Sequence, residues 1–473
     1  MAQLQRVLSF RDLVLLNIVA IIGLRWVALA AAAGPAALTL WILALVVFFI
    51  PQGMAAARLA SAYPAEGGIY VWTRKAFGPR HGFIAGWCYW ATNVIYVPSL
   101  LVAVAGFSTF IGGEATRHLE GNTLYVVGFS IAALWIALGL NILGLKTGRW
   151  VHNLGGLSTW IPGGLLIIFG VVVWLRYGPA TEISLESLVP RFAQFDTVSF
   201  FSNICFAFAG LELATILMDE IEDPRRNLHK AMITSGIFIA LVYIAGTWAI
   251  LMAMPAADVS IITGVLQAID AAAGRVGAGG LGGLVALLMT LGGLGGVGAW
   301  LAGSARILFV AGLDEYLPKS LGAVHPRWGS PHVSLIVQGI FATIFILAGS
   351  AGAGPQEAYL VLVDMTIVLY FIPYLYMFIA LIRLDPAIRG GAGPESAAMD
   401  VPGGRPGVWI YGILGFLAVL LAIVLAVIPP GDSAKPGLYV LKVVGGTAFF
   451  VISAIVLYQR AAARGGDRPA QAP

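Results

Sequence analysis

Three charged residues stand inside long apolar runs: Arg25, Glu212 and Asp364. A charge at the centre of a membrane helix costs at least about 2.5 kcal/mol on insertion scales, so each is a functional candidate. The competing reading is a structural pair or a group facing water. Arg25 and Glu212 share a local pattern. One run reads Ile21-Ile22-Gly23-Leu24-Arg25-Trp26, and another reads Phe208-Ala209-Gly210-Leu211-Glu212. Each sets Gly-Leu-charge inside a stretch otherwise fit to cross a bilayer. Glycine weakens a helix and the charge needs a polar neighbour, so both are candidate helix breaks. Interrupted helices at corresponding positions of two halves mark the binding site of a transporter. The plainer reading is packing glycines and a chance tripeptide. A guanidinium does not shed its proton, so Arg25 requires an anion. Glu212 is expected to face it across a cavity, offset by about 10 Å along the membrane normal at 1.5 Å per residue. That pair is either the charged core of a substrate site or a permanent salt bridge.

Other chemistries find little support. The six histidines (81, 118, 152, 229, 325 and 332) fall near the ends of apolar runs, without metal-ligand spacing. The two cysteines, Cys88 and Cys205, lie within apolar runs and suit neither a disulfide framework nor a zinc site. Asp364 has no second intramembrane aspartate to form a protease dyad. No serine stands beside a buried base, and no potassium-channel filter sequence appears. No cofactor, metal or catalytic residue is expected. Tyr370, Tyr374 and Tyr376 read as core. The closely spaced Gly292, Gly293, Gly295, Gly296 and Gly298 read as a surface for close helix approach.

The elements that must hold these residues are membrane helices. Hydrophobic residues make up 59% of the 473 and charged residues 11%, against about 25% charged in soluble domains. Mean hydropathy is +0.90. Apolar runs fall near 12–33, 37–61, 82–111, 124–144, 154–175, 196–217, 231–254, 281–311, 333–350, 356–382, 407–428 and 437–459. Runs of this length can each cross a bilayer. The reading is an all-α polytopic membrane protein with twelve transmembrane helices. The interrupted first and sixth spans lie five apart, so the repeat unit is five helices of inverted orientation. No soluble domain is expected, and 258–276 is expected to hold a short interfacial helix. The segment before Arg11 lacks a cleavable signal pattern, so the first helix is expected to be retained as an anchor. With the N-terminus inside, only Arg117, Arg176, Arg191, Arg275, Lys435 and Lys442 of the 27 Lys and Arg fall outside. That asymmetry places both termini in the cytoplasm. The net charge of +4 is spread over many loops, which excludes nucleic acid as a partner.

The chain resembles the amino acid–polyamine–organocation transporter superfamily along nearly its whole length. The likeness rests on Phe206-Ala-Phe-Ala-Gly-Leu-Glu212 with Glu220-Ile-Glu-Asp-Pro-Arg225, and on Pro64-Ala-Glu-Gly-Gly-Ile-Tyr70. It rests also on Ser304-Ala-Arg306, Asp314 to Pro318, His325-Pro326 and Gly329-Ser-Pro331. The resemblance implies a ten-helix inverted-repeat core over 1–385, with repeats at about 12–175 and 196–382. The remainder, 386–473, would hold a loop, two additional helices and a short tail. It implies secondary transport of an amino acid or related amine within the membrane lipid, coupled to protons or to exchange. In the family the first break binds the substrate carboxylate through backbone N–H groups. Here the matching residues are Ile22, Gly23, Leu24 and Arg25, and the family's second glycine has become Arg25. The resemblance further assigns Phe206 to an aromatic gate, with Ala207 and Gly210 beside it. It assigns Glu212 to gating or pH response, Asn93 to substrate contact and Trp300 to the cavity wall. Glu212 and Asp364, as buried carboxylates, are the candidates for proton coupling. A transporter-like amino acid sensor is the alternative class, distinguished by an added signalling domain or long tail.

Overall fold

The computed structural model describes residues 9–63, 68–143, 148–190, 195–212, 215, 221, 224–310, 316–317, 321, 323, 325–328, 330–385, 388, 399–431 and 433–463. The expected motif segments 64–67, 216–220 and 311–315, and the tail after 463, lie outside them. The elements are helices. Ten are long and apolar enough to cross a membrane. They are α3 (Ala36–Ala62), α5 (Pro79–Ser108), α6 (Thr123–Ile142), α7 (Gly148–Tyr177), α9 (Pro224–Ala253), α11 (Leu281–Val310), α12 (His332–Ser350), α13 (Pro355–Leu384), α14 (Gly404–Ala426) and α15 (Pro436–Ala463). The first span is a broken pair, α1 (Phe10–Ile21) and α2 (Leu24–Ala32), bent by 47°. Among the described residues the sixth run holds α8 (Phe195–Phe208), which stops where the second break was expected. Two further helices connect spans: α4 (Ile69–Phe77), and α10 (Gly264–Arg275) within the segment read as interfacial.

Punctuation follows backbone chemistry. Gly78, at φ 92°, closes α4, and Pro79 opens α5 at a position where its missing N–H is no loss. The long α5 and α13 pack against each other and are mostly buried, while α15 keeps a largely open face. Exposed Ile136, Leu140, Ile452 and Val456 belong to such faces, as lipid contact requires. Close approach by α11 is real: a side chain at Gly293 would stand 2.3 Å from Val104 on α5.

Polar ties between helices are few and buried. Asn17 donates to Ser235 Oγ at 3.0 Å, joining α1 to α9. Trp41 Nε1 donates to Thr247 Oγ1 at 2.9 Å, joining α3 to α9. Arg58, one of the cations assigned to the inner side, is buried against Asp385 with Nε–Oδ2 at 2.7 Å. It also donates to the Met399 carbonyl at 2.5 Å, fastening α3 to the end of α13 and the chain beyond.

Candidate functional site

The two breaks meet. Ile22 and Gly23 leave helical geometry with ψ 112° and 115° between α1 and α2. Gly23 is required there, because a Cβ would stand 2.9 Å from the Trp26 indole. After α8, Gly210 adopts φ 125°, a region side-chain-bearing residues rarely enter. Tyr243 on α9 bridges both openings. Its hydroxyl lies 2.6 Å from the Ile21 carbonyl and 3.1 Å from the Ala207 carbonyl, and it accepts from the Gly23 N–H at 3.2 Å. Gln52 donates to the Phe208 carbonyl at 3.2 Å. The backbone groups freed by breaking two helices are thus satisfied by side chains from neighbouring spans, as burial demands.

Arg25 sits at this junction, 5% exposed. Its guanidinium lies 4.3 Å from the Trp26 ring centroid and 4.6 Å from that of Tyr96. Neither terminal nitrogen has a hydrogen-bond partner. Phe206 packs edge-on to Trp26 at 5.4 Å and near Tyr96 at 6.4 Å, and Trp300 packs on Tyr96 at 4.9 Å. The result is an aromatic cage built from both breaks, α5 and α11. It brings Arg25, Phe206 and Trp300 together. Leu24 points elsewhere, toward Gly163 on α7.

The expected Arg25–Glu212 pair is not formed among the described residues. The reason is that Glu212 is already saturated. Tyr370 donates to its Oε1 at 2.5 Å, Tyr89 to the same oxygen at 3.2 Å, and Tyr374 to Oε2. Tyr374 also accepts from the Gly210 N–H at 3.3 Å. One carboxylate therefore ties the sixth-span break to α5 and α13. The cluster adjoins the cage through Tyr370, whose ring packs on Phe206 at 5.4 Å.

Asn93 is buried one turn from Tyr89 and donates to that residue's carbonyl at 3.0 Å, on its own helix. Asp364 belongs to neither cluster; it accepts from Tyr439 on α15. The residues missed by sequence reading are Trp26, Gln52 and five tyrosines: 89, 96, 243, 370 and 374. A signal existed for two of them, since Tyr89, Asn93 and Tyr96 share one face of α5 at i, i+4 and i+7.

Two interrupted helices that meet around a buried cation, inside a bundle of spanning helices, are the arrangement in which membrane transporters build their binding sites. The chain belongs to the amino acid permease family, whose profile matches residues 8–450. It is 30% identical over 454 residues to an uncharacterized transporter of Legionella pneumophila, covering 94% of this chain and 95% of that one. It is 27% identical to a glutamate/gamma-aminobutyrate antiporter of Lactococcus lactis, covering 89% and 84%. It is 24% identical to a probable agmatine/putrescine antiporter of the same species, covering 89% and 88%. The fold is shared with MhsT, crystallised with L-phenylalanine, at a TM-score of 0.62 and 15% identity over 88% of this chain and 98% of that one. The chain is an integral membrane protein of the amino acid superfamily expected from its motifs.

Proposed function

We propose that the protein carries a carboxylate-bearing amino acid or related amine by alternating access, through proton coupling or exchange, with both termini inside. The observation that supports this most is Arg25. It is buried, permanently charged and without an anion, at the meeting point of two broken helices. A buried charge left without its partner is destabilising by about 3–5 kcal/mol, so the site is complete only when an anion enters. A substrate carboxylate fits, because a guanidinium presents parallel donors to two oxygens. The aromatic faces of Trp26, Tyr96, Phe206 and Trp300 surround the guanidinium with apolar surface. Of the two named relatives, this favours glutamate or gamma-aminobutyrate as the nearer chemistry; agmatine and putrescine carry no carboxylate.

Glu212 is the proposed proton carrier. Ionised, a carboxylate accepts from all three phenols; protonated, it donates one hydrogen, so one of the three bonds must reverse or break. Proton binding would thereby loosen the tie between α5, α13 and the sixth-span break. Asp364 opens on a different cavity and has no part in this step. The test is uptake of labelled amino acids and amines into proteoliposomes. Carboxylate-bearing substrates should be taken up with a pH gradient or by exchange, without sodium. Arg25→Ala should lose substrate binding while remaining folded. Full affinity in Arg25→Ala, or uptake driven by sodium and indifferent to pH, overturns the proposal.

A further inference from the structure

A second cavity lies one helical turn from the cage. Its volume is about 320 Å³, and it is enclosed by the beginning of α13, the middle of α8 and the chain joining α14 to α15. Asn203 lines it, three residues before Phe206 of the cage, and so do Asp364 and Tyr439. Two features distinguish this space from a packing defect. The Asp364 Oδ1 and Asn203 Oδ1 are both buried acceptors without a hydrogen-bond partner, on residues each 5% exposed. Their remaining polar atoms are occupied: Asp364 Oδ2 accepts from Tyr439, and Asn203 Nδ2 points to Ser202 Oγ at 3.4 Å. Native structures rarely leave buried acceptors unmade, and here the two residues that carry them line one cavity.

The lining fixes the chemistry of what would satisfy them. It includes no Lys, Arg or His, and a second carboxylate, Glu357, accepts from Ser433 at 3.1 Å. The nearby Lys442 is turned away onto the carbonyls of Gly349 and Ala351, at 2.8 and 2.7 Å. The missing partner is therefore a donor with positive charge. Among the described residues no cluster of three or more His, Cys, Asp or Glu could hold a metal ion. The volume is about ten times the share of one water molecule in the liquid, which suits an organic group better than a bare ion. Phe200, Ile261, Leu360 and Ile428 supply apolar walls for an alkyl chain.

We propose that this cavity is a binding site for the primary ammonium group of a small alkylamine, held by Asp364 and Asn203 and distinct from the Arg25 cage. Its position gives it a role. Gln356 and Glu357 line both this cavity and a larger one of about 770 Å³, which is bordered by Arg117, Glu120 and Asp258 on the membrane face proposed as outer. On the other side stands Tyr359, whose buried hydroxyl also lacks a partner and lies within electrostatic reach of both Arg25 and Asp364. The site is an anteroom between the outer vestibule and the cage. An amine-bearing solute entering from outside meets an acceptor pair for its ammonium end before any carboxylate reaches Arg25. The assignment stands whether or not the Arg25 reading holds.

The test is equilibrium binding of labelled butylamine to the purified full-length protein in lipid nanodiscs. Wild type should bind it, with displacement by unlabelled butylamine but not by butyrate, sodium chloride or choline chloride. Asp364→Asn preserves size and an acceptor for Tyr439 while removing the charge; it should weaken binding by about tenfold or more. Asn203→Leu should weaken it by a smaller factor. Glu114→Gln, at an exposed carboxylate outside both clusters, should bind butylamine within about twofold of wild type, and size-exclusion profiles should show all three variants folded. Absence of binding in wild type overturns the proposal, as does unchanged affinity in Asp364→Asn. Loss in Glu212→Gln with retention in Asp364→Asn would place the amine at the tyrosine cluster instead. Displacement by sodium chloride but not choline chloride would make the cavity a sodium site and equally end the ammonium assignment.

Discussion

A single hydroxyl can decide whether a helix break is tolerable. Tyr243 serves the carbonyls of Ile21 and Ala207 and the Gly23 N–H from one oxygen. Tyr243→Phe keeps the ring and its stacking on Trp41 at 4.5 Å, yet leaves those backbone groups unserved. Each unsatisfied buried group costs about 1–3 kcal/mol, so the variant should lower the thermal midpoint and weaken substrate binding together. A Tyr243→Phe protein with wild-type stability and affinity would show that the bridge is incidental. Glu212→Gln removes the proton-binding group while keeping its shape, so its transport should lose dependence on the pH gradient. Retained proton dependence would place the coupling group elsewhere. Arg25 and Glu212 were legible in the sequence because a charge inside an apolar run has few innocent explanations. The tyrosines that surround them were not. A phenol in an apolar helix is ordinary core, and nothing in the chain marks which of Tyr370, Tyr374 and Tyr376 turns inward. Two of those reach Glu212, whereas Tyr376 meets His81 at 3.0 Å.

At the level of elements, the broken helices were readable and their fastenings were not. Gly23 and Gly210 announced interruptions because each sits beside a charge in a segment that should otherwise span. Arg58 gave no such signal of its partner. It stands near the end of an apolar run, where a cation ordinarily faces water, and its partner Asp385 lies 327 residues away. Only the folded chain brings the end of α13 over α3. The pair is buried on both sides, with side-chain exposures of 7% and 0%. Removing one member strands the other, at a cost of about 3–5 kcal/mol. Asp385→Ala should therefore lower the thermal midpoint sharply in nanodiscs. Replacing both, as Arg58→Met with Asp385→Leu, removes the stranded charge and should recover most of the loss. If the double variant melts no higher than Asp385→Ala, the pair is not the stabilising tie described here. A neutral effect of Asp385→Ala alone would lead to the same conclusion.

For the whole molecule, the Lys and Arg distribution makes an independent demand on the architecture. Composition sufficed to show a polytopic helical protein, since no soluble core could bury a chain that is 59% hydrophobic. Which way the bundle faces depends on loop charge alone. Of the six cations assigned outside, Arg117 pairs with Asp270 at 2.6 Å and stacks on Phe110 at 3.4 Å, so its charge is partly neutralised where it stands. The inner assignment carries many more cations. Orientation can be read by single cysteines, because the native Cys88 and Cys205 are buried and should stay silent to a charged reagent. Gly121 is exposed in the connection between α5 and α6, and Asp400 is exposed before α14. With the sixth run counted as a crossing, these positions are separated by an odd number of crossings and must face opposite sides. In sealed cells, Gly121→Cys should react with a membrane-impermeant maleimide and Asp400→Cys should react only after permeabilisation. The reverse pattern would invert the bundle and turn the vestibule beside Glu120 toward the cytoplasm. Reaction of both from outside would mean that the count of crossings between them is even. In that case the sixth run, with its short α8 and its break, would enter and leave on the same face instead of crossing.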